Sequence, residues 1–86
     1  ALAKIVSEKL AFSDVKGIPR GGIPFEKALK KYCTFSESDP LLICDDVYTT
    51  GTSMREVYEE GAIGVVVFAR NEINDDWIKA IWQIAI

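Results

Sequence analysis

Histidine is absent from the 86 residues. Without an imidazole there is no Ser-His or Cys-His nucleophile system and no hydrolase triad, and the commonest metal ligand is missing. Cysteine is scarce: Cys33 and Cys44 stand eleven positions apart, a spacing that fits neither a zinc site nor a redox pair. Two thiols do not make a disulfide scaffold, so the expectation is a protein of a reducing, cytoplasmic compartment. No apolar stretch approaches the roughly 18 residues of a membrane-spanning helix. The first ten residues are broken by Lys4, Ser7, Glu8 and Lys9, which leaves no signal-peptide core. An excess of positive charge is lacking too, since 10 Lys and Arg stand against 13 Asp and Glu, a net charge of −3. Nucleic acid and membrane surfaces, which need a basic field or face, are therefore not expected partners. An anionic ligand has to be held locally.

What is present suits one small folded unit, residues 1–86, with 49% apolar side chains. A chain of this length buries a little more than about 60% of its unfolded surface, enough for a modest core without staples. Leu2, Ile5, Val6 and Leu10 recur at helical spacing. Val15 to Ile18 reads as a short strand that runs into the loop Pro19-Arg20-Gly21-Gly22. Pro24 suits a first helical turn, and Phe25, Ala28, Leu29 and Tyr32 continue the stripe. After a polar break from Ser36 to Pro40, Leu41 to Cys44 is a continuous apolar run, the pattern of a strand covered on both faces. Asp45 and Asp46 close it. Met54, Val57 and Tyr58 begin a further helix that Gly61 ends, and Ile63 to Ala69 is the next buried strand. Strand and helix alternate, which predicts an α/β fold: a Rossmann-like parallel sheet with flanking helices and right-handed crossovers. The tail from Trp77 to Ile86 fits a helical stripe and a period-2 strand equally.

The stretch Leu41 to Ser53 carries the strongest chemical signal. In open α/β sheets ligands bind beyond the carboxyl ends of the strands, where Asp45 and Asp46 would sit with the loop that follows. Backbone N–H groups, Gly51 and the hydroxyls of Thr49, Thr50, Thr52 and Ser53 suit a phosphate. The carboxylates suit hydroxyls or a hydrated Mg²⁺. A ribose 5-phosphate offers both groups in one molecule. Taken singly, Asp-Asp is also a solvated turn and Thr-Gly-Thr-Ser an ordinary helix cap; the order of the two favours a site. A Walker A loop is excluded because no Lys follows Gly51, and the spacing of Gly17, Gly21 and Gly22 is not that of a dinucleotide fingerprint.

With these residues in view, Leu41 to Ser53 resembles the phosphoribosyl-pyrophosphate (PRPP) signature of the type I phosphoribosyltransferases. Val15 to Gly22 is similar to the pyrophosphate loop of that family, and the order of elements matches over roughly residues 14 to 70. The resemblance implies a type I phosphoribosyltransferase core, Mg²⁺ carried with PRPP and no direct metal ligands, and a homodimer. It implies that Asp45 and Asp46 hold the ribose hydroxyls, that Thr49, Thr50, Gly51, Thr52 and Ser53 wrap the 5-phosphate, and that Pro19, Arg20, Gly21 and Gly22 face the pyrophosphate. In this family that loop often contains a cis non-proline peptide. Arg20 taken alone reads equally as a surface charge at a turn.

The tail Asp75 to Trp82 is similar to the end of the purine enzymes of the family, where an aromatic residue stacks on the base; Trp77 is the matching position. Arg70 falls where those enzymes place a basic residue on the purine oxygen. Both tryptophans also have a packing role open to them, and Trp82 is expected in the core. Thr49 stands where the 6-oxopurine enzymes carry an acidic residue, which brings Thr49 to Thr52 closer to the orotate, adenine and amidotransferase-like members. The family usually inserts a lid and further strands before its signature strand; here only Cys33 to Pro40 separate helix and strand. The functions implied are phosphoribosyl transfer from PRPP to a nucleobase with release of pyrophosphate, or binding of PRPP or a nucleoside 5-monophosphate without turnover.

Overall fold

The computed structural model describes residues 2–84. Four helices and four strands follow one another as α1 (Leu2–Lys9), β1 (Asp14–Gly17), α2 (Gly22–Lys30), β2 (Leu41–Tyr48), α3 (Thr52–Glu56), β3 (Ile63–Ala69), β4 (Ile78–Ala80) and α4 (Ile81–Ile84). The strands form one sheet in the order β1-β2-β3-β4, and every pairing is parallel. The expected α/β architecture with a parallel sheet is what forms.

Alternation of side chains along the central strands divides the apolar residues between two faces. Leu42, Cys44 and Val65 point to one, where they meet Phe25 and Leu29 of α2, Val6 of α1 and Ile81 of α4. Ile43 and Val66 point to the other, where Met54 of α3, Ile78 and Ala80 pack with Ile73 and Trp77. Burying a side chain such as Leu29 or Leu42 stabilises by about 1.5–3 kcal/mol each, and these continuous apolar strands need a cover on both sides.

The two helical crossovers, through α2 and α3, correct the expectation of uniform handedness. Strand order steps the same way from β1 to β2 and from β2 to β3, yet α2 and α3 lie on opposite faces. Only one of the two can be right-handed, against the strong preference of βαβ units.

Other boundaries also shift. The first strand begins at Asp14 and ends at Gly17, and Ile18 still donates its N–H to the Cys44 carbonyl at 2.9 Å. Far from closing β2, Asp45 and Asp46 lie inside it, because β3 continues to pair with β2 as far as Tyr48. Helix α3 has only five residues. The tail contains both candidates in succession, a three-residue strand and then a helical turn; Ala85 and Ile86 lie outside the described residues.

Both sheet edges are closed by acceptors of the same chain. On β1 the outward N–H of Val15 donates to Asp14 Oδ1 at 2.8 Å and that of Gly17 to Glu26 Oε1. On β4 Ile78 donates to the Asp75 carbonyl at 3.1 Å and Ala80 to Gln83 Oε1 at 2.7 Å. Capped N–H groups do not template another strand. Among the described residues no helix is long and apolar enough to cross a membrane.

Candidate functional site

The carboxyl end of β2 is where the two singled-out motifs meet. Strand β1 stops at Gly17, opposite Cys44, so the last four residues of β2, Asp45 to Tyr48, have no strand on that side. The turn Ile18 to Gly21 and the start of α2 occupy the vacated place. This demands glycine: a Cβ on Gly22 would lie 2.7 Å from the Cys44 carbonyl oxygen and 3.2 Å from the Asp45 Cα, and one on Gly21 would overlap the Asp46 carboxylate. The Pro19–Arg20 peptide is cis, within the loop for which the family resemblance implied such a bond. Arg20 is exposed at its tip.

Beyond Tyr48 the chain turns through Thr49 and Thr50 into α3. The N-cap of α3 is Gly51 at φ +81°, and the Thr50 hydroxyl accepts the N–H of Thr52, the first helical residue, at 3.4 Å, so the loop also serves as the cap of α3. Thr50 and Thr52 share a hydroxyl hydrogen bond of 3.0 Å. Asp45, Val47, Tyr48 and residues 49–54 surround a hollow of about 50 Å³, the volume of one to two waters at about 30 Å³ each in the liquid and on the scale of a single phosphoryl group.

Beneath the loop lies a network that sequence reading missed. Tyr48 donates its hydroxyl to Asp75 Oδ2 at 2.8 Å, Arg55 reaches the same oxygen at 2.8 Å, and Asn74 donates its N–H to the Tyr48 oxygen at 3.3 Å. A Cβ on Gly51 would fall 2.6 Å from that Asp75 oxygen, 2.8 Å from the Tyr48 ring and 2.9 Å from Arg55. The glycine thus sits directly on the clamp. Asn71 donates to the Thr49 carbonyl at 2.8 Å and fixes the other end of the loop. Asp75 is 27 residues from Tyr48, and no local pattern marks the pair.

Electrostatics distinguishes the two adjacent carboxylates. Partial burial, followed by the hydrogen bond with Asp46, raises Asp45 from 3.8 to about 6. Repulsion between neighbouring carboxylates and loss of water act together on it. Burial pushes the Cys44 thiol up to about 12 and also raises Cys33, so both favour the protonated form.

The remaining candidates separate. Arg70 is exposed and close by, its N–H donating to the Tyr48 carbonyl at 2.9 Å. Trp77 is not brought to the site. Its carbonyl accepts from Gly64 near the amino end of β3, its ring lies over Gly64, and Tyr58 packs against it with centroids 4.7 Å apart. Trp82, expected in the core, is instead 64% exposed. Trp77 is thus the packed tryptophan and Trp82 the exposed one, because β4 enters the sheet at Gly64 and carries Trp77 down with it.

Residues 33–40 lie at the opposite end of the sheet. Thr34 and Phe35 donate their N–H groups to Phe12 and Ser13, and Ser13 donates to the Pro40 carbonyl. This segment does not cover the mouth. Among the described residues no group of three or more His, Cys, Asp or Glu side chains is placed to hold a metal by itself. Comparison with family models, with curated proteins and with solved structures finds no match to this chain.

Proposed function

We propose that the protein is a minimal member of the type I phosphoribosyltransferase class, binding PRPP or a nucleoside 5-monophosphate at the carboxyl end of β2 and transferring phosphoribose to a nucleobase. One observation carries the reading: the glycine turn that follows β1 is seated against the Asp45–Asp46 pair, with the hollow of the Thr49 to Ser53 loop adjoining it. A diol-binding carboxylate pair, a phosphate-sized hollow and an arginine-bearing turn thus share one mouth.

Asp45 and Asp46 accept hydrogen bonds from the ribose hydroxyls, the loop hydroxyls and N–H groups hold the 5-phosphate, and Arg20 faces the pyrophosphate. Mg²⁺ usually keeps several waters and is bound largely through substrate phosphates, so an ion carried by PRPP would need no dedicated cage here, and the adjacent carboxylates would accept from its waters. When bound it neutralises charge on the leaving pyrophosphate. In the transfer a base nitrogen bonds to ribose C1 as the C1–oxygen bond breaks; the electron pair leaves with pyrophosphate and the ring N–H proton is released. Positioning and charge complementarity supply the acceleration, with no enzyme nucleophile.

A second reading, a PRPP- or nucleotide-binding module without turnover, is favoured by the placement of residues 33–40 away from the mouth, because an open site admits water. Labelled PRPP with Mg²⁺ and a panel of nucleobases decides between them. Release of pyrophosphate with formation of a nucleotide is expected for the transferase; saturable binding without release selects the module; absence of Mg²⁺-PRPP binding overturns the transferase, and absence of nucleoside 5-monophosphate binding as well overturns both.

A further inference from the structure

We propose that Glu26 is a positioning residue of the site: its carboxylate holds the turn Ile18 to Gly22 in place and thereby sets how firmly a pyrophosphate is gripped beside Asp46. The inference deepens the transferase reading and rests on it for the pyrophosphate. The holding of the turn needs no ligand.

Strand β1 is an edge strand of four residues, and the turn continues directly from its end. On the inner side the chain is fixed as far as Ile18, whose N–H donates to the Cys44 carbonyl at 2.9 Å. On the outer side no strand is present to take the N–H of Gly17, which is a buried residue. A buried N–H without an acceptor is costly. Glu26 Oε1 is the acceptor it finds.

The reach of that bond makes it more than an edge cap. The other outward N–H of β1, that of Val15, is satisfied by Asp14, its immediate neighbour in the strand. Glu26 lies nine residues beyond Gly17 and belongs to α2, so its bond closes a ring around the whole turn. Within the ring Gly22 donates to the Ile18 carbonyl at 2.8 Å and Ile23 to the Arg20 carbonyl at 3.2 Å. Little slack is left, since a Cβ on Gly17 would fall 2.8 Å from the Glu26 Cβ.

The ring carries the residues that face the mouth. Gly22 is seated on the Cys44 carbonyl, Gly21 against the Asp46 carboxylate, and Arg20 between them and solvent. The far end of α2 is held separately, by Lys30 on Asp14 at 2.6 Å. The loop Thr49 to Ser53 joins β2 to α3 and stands outside the ring. Loss of the Glu26 bond therefore loosens the grip on pyrophosphate and spares the 5-phosphate.

The test uses the full chain. Glu26→Gln keeps both length and an oxygen acceptor, Glu26→Met keeps length alone, and both residues are good helix formers. By calorimetry Glu26→Met is expected to bind Mg²⁺-PRPP at least tenfold more weakly than the parent and ribose 5-phosphate within twofold, while Glu26→Gln stays within threefold for both. Glu26→Ala, which adds no bulk, should match Glu26→Met. Asp14→Ala, which frees only the far end of α2, should keep both affinities within threefold. Without any ligand, amide exchange at Gly22 and Ile23 should quicken at least tenfold in Glu26→Met and not in Glu26→Gln. Unchanged exchange at those two amides overturns the assignment, as does an equal loss of PRPP affinity in Glu26→Gln or Asp14→Ala. The expected exchange pattern in a parent that binds no Mg²⁺-PRPP upholds Glu26 as the residue that holds the turn and overturns the transferase reading instead.

Discussion

Gly21 lies against the carboxylate of Asp46, so that any β-carbon at position 21 would overlap it. The contact joins two motifs 25 residues apart in the chain. Gly21 itself has ordinary right-handed backbone angles, φ −61° and ψ −30°, and the requirement for glycine comes from the neighbour alone.

That difference separates two substitutions. Gly21→Ala displaces only an exposed side chain, so its stability should stay within about 0.5 kcal/mol of the parent, while Mg²⁺-PRPP affinity falls at least tenfold as Asp46 moves. Gly22→Ala meets the backbone of Cys44 and Asp45 and should destabilise by about 1–3 kcal/mol. Denaturant unfolding and calorimetry on both variants check the pair. Equal loss of stability in the two would remove the special relation of Gly21 to Asp46.

Asp45 links function to pH. Its carboxyl is raised from 3.8 to about 6, chiefly by partial burial. A raised acid holds its proton more tightly in the folded state, so its stability contribution is complete below about pH 4 and is lost as pH rises through 6. Asp45→Asn should therefore be more stable than the parent at pH 7.5 by about 1 kcal/mol, a figure reduced for solvent screening of a partly open group. The gain should vanish at pH 4. Binding of Mg²⁺-PRPP should be lost in the variant, and in the parent should weaken as pH falls through 6. A variant less stable than the parent at pH 7.5 would contradict the buried-charge account.

Some of this was legible in the sequence. The run Ile63 to Ala69 has the boundaries of β3 because a Val-rich segment buried on both faces leaves no other reading. The acidic pair and the Thr-Gly-Thr loop stand out by their order. Their place inside β2 was hidden, since whether a strand ends at its last apolar residue depends on how far β3 keeps pairing. The opposite faces of α2 and α3 are set by packing at long range. Asp75, Asn71 and Trp77 escape for the same reason: each bonds to or packs on a residue more than ten positions away.

The clamp beneath the loop gives a third prediction. Tyr48→Phe removes a partly buried hydroxyl that donates to Asp75 and accepts from Asn74, a loss of about 1 kcal/mol of stability. Gly51→Val should do more, because its left-handed backbone disfavours a branched side chain and the added carbons strike Asp75, Tyr48 and Arg55. A cost of about 1–3 kcal/mol is expected, with phosphate affinity abolished and the circular dichroism spectrum still that of a folded chain. Retained phosphate affinity in Gly51→Val would reduce the loop to a turn between β2 and α3.

Arg20 distinguishes a transferase from a monophosphate binder. It stands exposed on the turn beside Asp46, where a pyrophosphate on ribose C1 would project while a 5-phosphate occupies the Thr49 to Ser53 hollow. A nucleoside monophosphate has no group to offer at that turn. PRPP should therefore bind at least tenfold more tightly, about 1.4 kcal/mol, and Arg20→Ala should remove most of the preference while leaving monophosphate affinity unchanged. The preference should weaken with added salt, because the guanidinium is open to water. Catalytic turnover should remain slow, since residues 33–40 do not reach the mouth to exclude water. Equal affinity for the two ligands, indifferent to Arg20→Ala, would leave a site for the 5-phosphate alone and take the pyrophosphate from its place beside the turn.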